Sequence, residues 1–205
     1  MPTNTIISKT LGEIYIRKLS NIFNDSIYKK IDNLAMDLRT AWINQKNIFI
    51  CGNGGSGVNA IHMANDLLYG AGSCGNPPQI PGLKVDALTS NQGILTCLSN
   101  DIGYENIFSH QLQVKGQKDD LLIVLSGSGN SPNVLNAIDI SRKIGIKTFA
   151  ILGFDGGQCL NKSDCAIHFP INDMQIAEDT QLIIGHICMQ WLSKNKPLHM
   201  DPLQK

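Results

Sequence analysis

The sequence predicts an α/β protein built on a parallel sheet. Two observations carry that prediction. From residue 47 onward, apolar runs that end in Gly, Ser or Asn alternate with helical patterns, the texture of strands joined by crossover helices. The runs at 48–51, 121–125 and 149–152 show no polar alternation, as strands covered on both faces require. The 205 residues are enough for one well-cored domain and short for two. A single domain is therefore expected over 1–205, with N-terminal helices at 11–45, an α/β core at 46–193 and a loose tail at 194–205.

The N-terminal stretch reads as two helices. Leu11, Ile14, Tyr15, Leu19, Ile22 and Phe23 recur at three- and four-residue steps. After a polar break at 24–26, Ile27, Ile31, Leu34, Leu38 and Trp42 resume the pattern. Such a pair either covers a sheet face or forms a subunit contact, and the periodicity fits both. NIFICGNGGSG at 47–57 is the first strand with its turn, and KVDALTS at 84–90 the second, after a Gly/Pro-rich loop at 70–82. DDLLIVLSGSGNSPN and KTFAILGFDGG supply the third and fourth, and AIHFP around His168 reads as a strand end. The last helix is expected at 176–193, with Ile176, Thr180, Ile183, Ile184, Ile187 and Trp191 turned inward.

Charge and cysteine content exclude several functions. Lys plus Arg and Asp plus Glu are both 17, so the formal net charge is zero. That removes the diffuse basic field of a nucleic-acid or anionic-membrane binder. None of the six cysteines forms a CxxC pair, so zinc-finger and thioredoxin readings have no support. The start carries no charged segment leading into an apolar one, and no apolar stretch approaches the ~18 residues of a membrane span. A cytoplasmic protein is expected.

Two turns carry the chemistry. SGSGNS at 126–131 is followed by Pro132 and the helical pattern Val134, Leu135, Ile138. Ser131 fits an N-cap and Pro132 the first helical position. The loop then ends at free N–H groups and the positive end of a helix dipole. Hydroxyls from Ser126, Ser128 and Ser131 make it a neutral phosphate cradle, without the Gly-Lys-Ser/Thr ending of a nucleotide loop. GNGGSG at 52–57 matches G-x-G-x-x-G after a strand and before a helix. A dinucleotide fold also needs an acidic residue at the end of the next strand, and Asp86 comes too late. Two phosphate-type turns in one small sheet suit a phosphorylated sugar. His62 and Asp66 stand at i,i+4 and share a helix face, a spacing common to metal half-sites and ordinary surface pairs.

CGNGGS with the helix carrying His62, NDIGYENIFS at 100–109 and LSGSGNSPNV at 125–134 resemble the SIS (sugar isomerase) domain. More narrowly they resemble its phosphoheptose isomerase branch, over roughly residues 10–193. The resemblance implies a three-layer flavodoxin-like fold with a five-stranded parallel sheet, in a homotetramer with active sites at subunit interfaces. It implies isomerisation of sedoheptulose 7-phosphate to D-glycero-D-manno-heptose 7-phosphate, for heptose or surface-polysaccharide precursors. Phosphate would be held by Ser56, Ser126, Ser128 and Ser131, and sugar hydroxyls by Asn53 and Asp101. Asp66 stands where the family has its catalytic glutamate, and His186 where it has its acid. Glu178 replaces a glutamine and Gly127 a threonine. Some family members hold zinc at such positions, so His62, Asp66, Glu178 and His186 are expected to form a zinc site, with Glu178 also a substrate contact. Glu178 and His186 lie eight residues apart, ~12 Å along an ideal helix. They meet at one ion only if the helix begins irregularly or different subunits contribute. Non-catalytic relatives that bind phosphosugars or a replication-initiator partner, and isomerases of other ketose phosphates, are the rival readings.

Overall fold

The structure is a computed structural model that describes residues 9–197. It opens with α1 (Lys9–Asn21) and α2 (Asp25–Ile43). At the polar break the Asn24 side chain accepts from the N–H groups of Ser26 and Ile27 and caps α2. There follow β1 (Asn47–Gly52), α3 (Gly54–Asn65), a π turn (Asp66–Gly70) and the short α4 (Ala71–Ser73). Next come β2 (Lys84–Ala87), α5 (Gln92–Ile102), a 3₁₀ turn (Tyr104–Asn106) and α6 (Ser109–Lys115). The chain finishes with β3 (Leu121–Ser126), α7 (Pro132–Ile144), β4 (Lys147–Leu152), α8 (Cys159–Lys162), β5 (Cys165–His168) and α9 (Met174–Lys194).

The five strands are parallel in the order β2-β1-β3-β4-β5, the flavodoxin-like order. The expected fold class is therefore the one observed. Strand side chains alternate between two cores. Ile48, Ile50, Leu121, Ile123, Leu125, Phe149 and Ile151 face the layer of α2, α3 and α9, where Ile31, Leu34, Leu38 and Trp42 are buried. Phe49, Cys51, Leu122, Val124, Ala150 and Leu152 face the layer of α6 and α7. Each fully buried Leu or Ile contributes ~1.5–3 kcal/mol, so both faces anchor the sheet. Trp42 also donates its Nε1–H to the Pro81 carbonyl at 3.1 Å, which satisfies its one polar atom.

Some expectations need correction. α2 covers the sheet, but Leu11 and Ile14 of α1 stay exposed. α9 starts at Met174, not 176. Its buried stripe runs through Ile176, Ala177, Thr180, Gln181, Ile184, Gly185, Cys188 and Leu192. Ile187 falls on the flank of that stripe and is exposed, because a stripe set by 184, 185 and 188 turns 187 aside by about 100°. The end of the expected tail, from 198 and including His199, lies outside the described residues.

Candidate functional site

The chain leaves β1 for the edge strand β2 and crosses back to β3. The turns after β1 and β3 therefore diverge, and a ligand crevice opens between them. A cleft of about 270 Å³ sits there, lined by Asn53, Gly54, Gly55, Ser56, Leu125, Ser126, Gly127, Ser128, Ser131, Met174 and Glu178. A larger open groove of about 440 Å³, lined by Ser128, Asn130, Phe154, Asp155, Pro170 and Asn172, lies beside the second turn. The smaller cleft is the chemically organised one, for the following reasons.

Its helix ends are left uncapped. α2, α5 and α9 have polar N-caps whose side chains accept from their own helix: Asn24, Asn91 and Asp173. α3 and α7 also start from polar N-caps, Asn53 and Ser131, yet neither side chain makes a capping bond. Ser131 does occupy the N-cap and Pro132 the first helical position, but the hydroxyl does not cap the helix. The N–H groups that open α3, and that of Asn133 in α7, are thus open to a ligand, since Pro132 has none and Val134 N–H bonds the Ser131 carbonyl at 3.0 Å; the helix dipoles make an anion the favoured partner.

The serine hydroxyls are oriented for the same ligand. Ser126 Oγ accepts from Gly129 N at 3.0 Å, Ser128 Oγ from Asn130 N at 3.3 Å and Ser56 Oγ from Gln181 Nε2 at 3.0 Å. A hydroxyl that already accepts keeps its own proton to give. Ser56 and Ser126 are buried, Ser128 exposed and Ser131 between. No Lys or Arg lines the cleft, and its one charged side chain is Glu178. A Cβ at Gly55 would collide with the Glu178 carboxylate, so glycine there lets the carboxylate lie against the start of α3. At Gly127 a Cβ would come within 2.6 Å of Met174 Sδ. Met174 therefore occupies space that a side chain at 127 would fill.

α3 and α9 run side by side in one direction. Gly55 faces Glu178, Asn59 bonds Gln181 and the Glu178 carbonyl at 3.0 Å each, and Met63 packs on Gly185. This register brings His62 and His186 together at the far end. Their Nε2 atoms are 3.0 Å apart, and Asp66 Oδ2 lies 3.5 Å from His62 Nε2 and 3.6 Å from His186 Nε2. Asp66 opens the π turn, a distortion often found at functional positions. Both histidines are about half exposed, at 48% and 44% of the side chain, and Asp66 is less so at 17%.

Three donors converge on one point, and they fit a metal. Ligands ~2.0–2.1 Å from a tetrahedral zinc stand ~3.3 Å from one another, and the three separations here bracket that value. Imidazole and carboxylate are ordinary zinc donors. Glu178 is placed differently. α9 is helical from Met174 onward, so an irregular helix start does not bring Glu178 to His186. It lines the cleft at the other end of the helix pair and lies outside the His62, Asp66 and His186 group. Asp101 is also apart from the cleft, on exposed α5, where it accepts from Asn100 Nδ2 at 2.8 Å.

Sequence reading passed over Asn59 and Gln181, which lock α9 to α3, and Tyr104, which donates to Asn53 Oδ1 at 3.0 Å. The one available signal was an Asn and a Gln on otherwise buried helical stripes. The π turn had none.

Comparison with known proteins agrees with the geometry. The SIS domain model matches residues 15–153. The phosphoheptose isomerase of Sulfurimonas denitrificans is 36% identical over 171 residues, 83% of this chain and 85% of that protein. The Chlorobaculum parvum phosphoheptose isomerase is 38% identical over 158 residues, 77% of this chain and 74% of that protein. The solved structure of a phosphoheptose isomerase from Francisella tularensis superposes with a TM-score of 0.76 at 26% identity, covering 92% of this chain and all of that one. With the three-layer sheet, the two Ser/Gly turns at its switch point and relatives of this likeness, the chain belongs to the SIS domain family, in its phosphoheptose isomerase branch.

Proposed function

We propose that this chain is a phosphoheptose isomerase, interconverting sedoheptulose 7-phosphate and D-glycero-D-manno-heptose 7-phosphate. One observation carries the reading: an anion cleft at the start of the α3–α9 pair, with a His–Asp–His group farther along the same pair. Ser56 and His62 are six residues apart, ~9 Å along the helix. An open seven-carbon sugar with a terminal phosphate also spans ~9 Å from phosphorus to its first carbons, by ordinary bond lengths. The phosphate would rest on Ser56, Ser126, Ser128 and Ser131, with Asn53 serving a sugar oxygen and Asp101 doing so only where a second copy brings it to the cleft.

The chemistry needs a base at carbon and an acid at oxygen. Asp66 takes a proton from C1 of the ketose and returns it to C2. His186 gives a proton to O2 and takes one from O1, so protons balance through the enediol. His62 orients both groups. Zinc, when bound by His62, Asp66 and His186, would polarise the substrate oxygens in place of the His186 proton. Glu178 joins that set only if a second copy brings it there. We further propose a homotetramer, a cytoplasmic location and a role in heptose or surface-polysaccharide precursor synthesis. No helix among the described residues is long and apolar enough to cross a membrane.

The test is NMR of sedoheptulose 7-phosphate with wild type, Asp66→Ala and His186→Ala, with and without zinc. Turnover by wild type, lost in both folded variants, is expected. Tight binding without turnover would instead point to a sensor or another ketose phosphate, a reading to which the short Asp66 side chain lends itself. Zinc content after purification without a histidine tag is expected to fall in His62→Ala. A wild type that rejects added zinc would remove the metal from the mechanism.

A further inference from the structure

Asn53 stands at the N-cap of α3 but turns its side chain away from the helix. The amide is spent elsewhere. Its Oδ1 accepts from Asn133 Nδ2 at 2.8 Å and from the Tyr104 hydroxyl at 3.0 Å, and its Nδ2 donates to Asn133 Oδ1 at 2.9 Å. Asn133 is buried near the start of α7, so the amide pair ties the two cradle helices together. A primary amide has two lone pairs and two N–H bonds. Both lone pairs of Asn53 are occupied, and one N–H remains.

We propose that Tyr104 and Asn133 are positioning residues that turn Asn53 into a hydrogen-bond donor only, so that it accepts nothing from the ligand. The inference rests on the sugar-phosphate reading of the cleft and deepens it. The oxygen that meets Asn53 must offer a lone pair: a carbonyl, an enediolate, or a hydroxyl whose own proton points elsewhere. An ammonium group at that position, as in an amino sugar, has no lone pair to give and is excluded. The Ser56, Ser126 and Ser128 hydroxyls are polarised in the same sense, so they too present donors to the ligand.

Orientation is read first in the free protein, by isotope-edited NMR of the Asn53 side-chain amide, assigned by its loss in Asn53→Asp. One amide proton is expected to be protected from solvent exchange and the other open. Tyr104→Phe should leave that pattern in place, because the lost bond involves Oδ1. Two protected protons in wild type, one of them released by Tyr104→Phe, would mean that Tyr104 accepts and the polarity is reversed, which overturns the proposal whether or not any sugar binds. Calorimetry with sedoheptulose 7-phosphate follows. Tyr104→Phe should weaken binding roughly three- to tenfold, the effect of one lost hydrogen bond. Asn53→Asp, near-identical in shape but without an N–H, should lose more than Tyr104→Phe. Undiminished binding by Asn53→Asp would also overturn the proposal. Because neither arm requires turnover, a wild type that binds without isomerising defeats the isomerase reading and leaves this one to the variants.

Discussion

At the scale of single residues, Glu178 is the most informative. Its carboxylate lies against Gly55 at the start of α3, where a helix dipole favours negative charge by ~0.3–1 kcal/mol. The same place must receive the phosphate. A carboxylate and a phosphate a few ångströms apart repel, and a partly buried cleft screens this less than water does. Glu178→Gln keeps the shape and removes the charge. With zinc chelated, the variant is expected to bind sedoheptulose 7-phosphate or inorganic phosphate roughly three- to tenfold more tightly by calorimetry, with a slightly lower Tm. Weaker binding would show that the carboxylate works as a ligand rather than as a competitor. Such a role was legible only in part. The sequence displayed a charge where the resemblance implies an amide, but not that the glycine at 55 makes room for it.

At the scale of elements, α1 is the least embedded helix, with Leu11, Ile14 and Ile16 exposed. Two side-chain bonds tether it to the first turns of α9: Tyr15 donates to Asp179 Oδ2 at 2.6 Å and Lys18 to Asp173 Oδ2 at 3.3 Å. Burial, and then the Asp179 acceptor, push the Tyr15 phenol up to about 12. The sign follows from the protonated phenol being the form that the folded tether holds. An unfolded tyrosine ionises near ~10, so this contribution is whole below that value and is lost as pH rises towards about 12. Hydrogen exchange across α1 is expected to accelerate in that alkaline window before α2 and the sheet respond. Tyr15→Phe should exchange faster at neutral pH and show no such step. An α1 equally protected at both pH values would mean that the tether contributes nothing. α9 thus serves the site twice. Its inner stripe packs on α3, and its first turns hold α1 beside Met174 and Glu178.

At the scale of the whole molecule, legibility follows burial. β1, β3 and β4 were plain because strands covered on both faces cannot hide polar residues. β5 showed only as an end around His168, since three of its four residues, Cys165, Ala166 and His168, are half-covered and only Ile167 is buried. The meeting of His62 and His186 depends on α3 and α9 lying in parallel register, and periodicity along one helix cannot state that. The same register exposes Val58, Ile61, Leu68 and Tyr69 on one side of α3 and its π turn, with Ile187 of α9 nearby in sequence to His186. α5, which carries Asp101, buries none of its residues. Several large apolar side chains on one helix flank, beside a helix whose Leu95 and Leu98 are only partly buried against the core, are what a chain shows when another copy covers it. The homotetramer proposed above predicts that Val58→Arg shifts sedimentation toward smaller species, with the far-ultraviolet circular dichroism of each folded chain unchanged. A loss of turnover that follows the loss of assembly, with the zinc content of each folded chain unchanged, would mean that subunit contact completes the site. A monomeric wild type with full turnover would place the entire reaction on the single chain. Asp101 would then have no part in it, because α5 holds it away from the cleft.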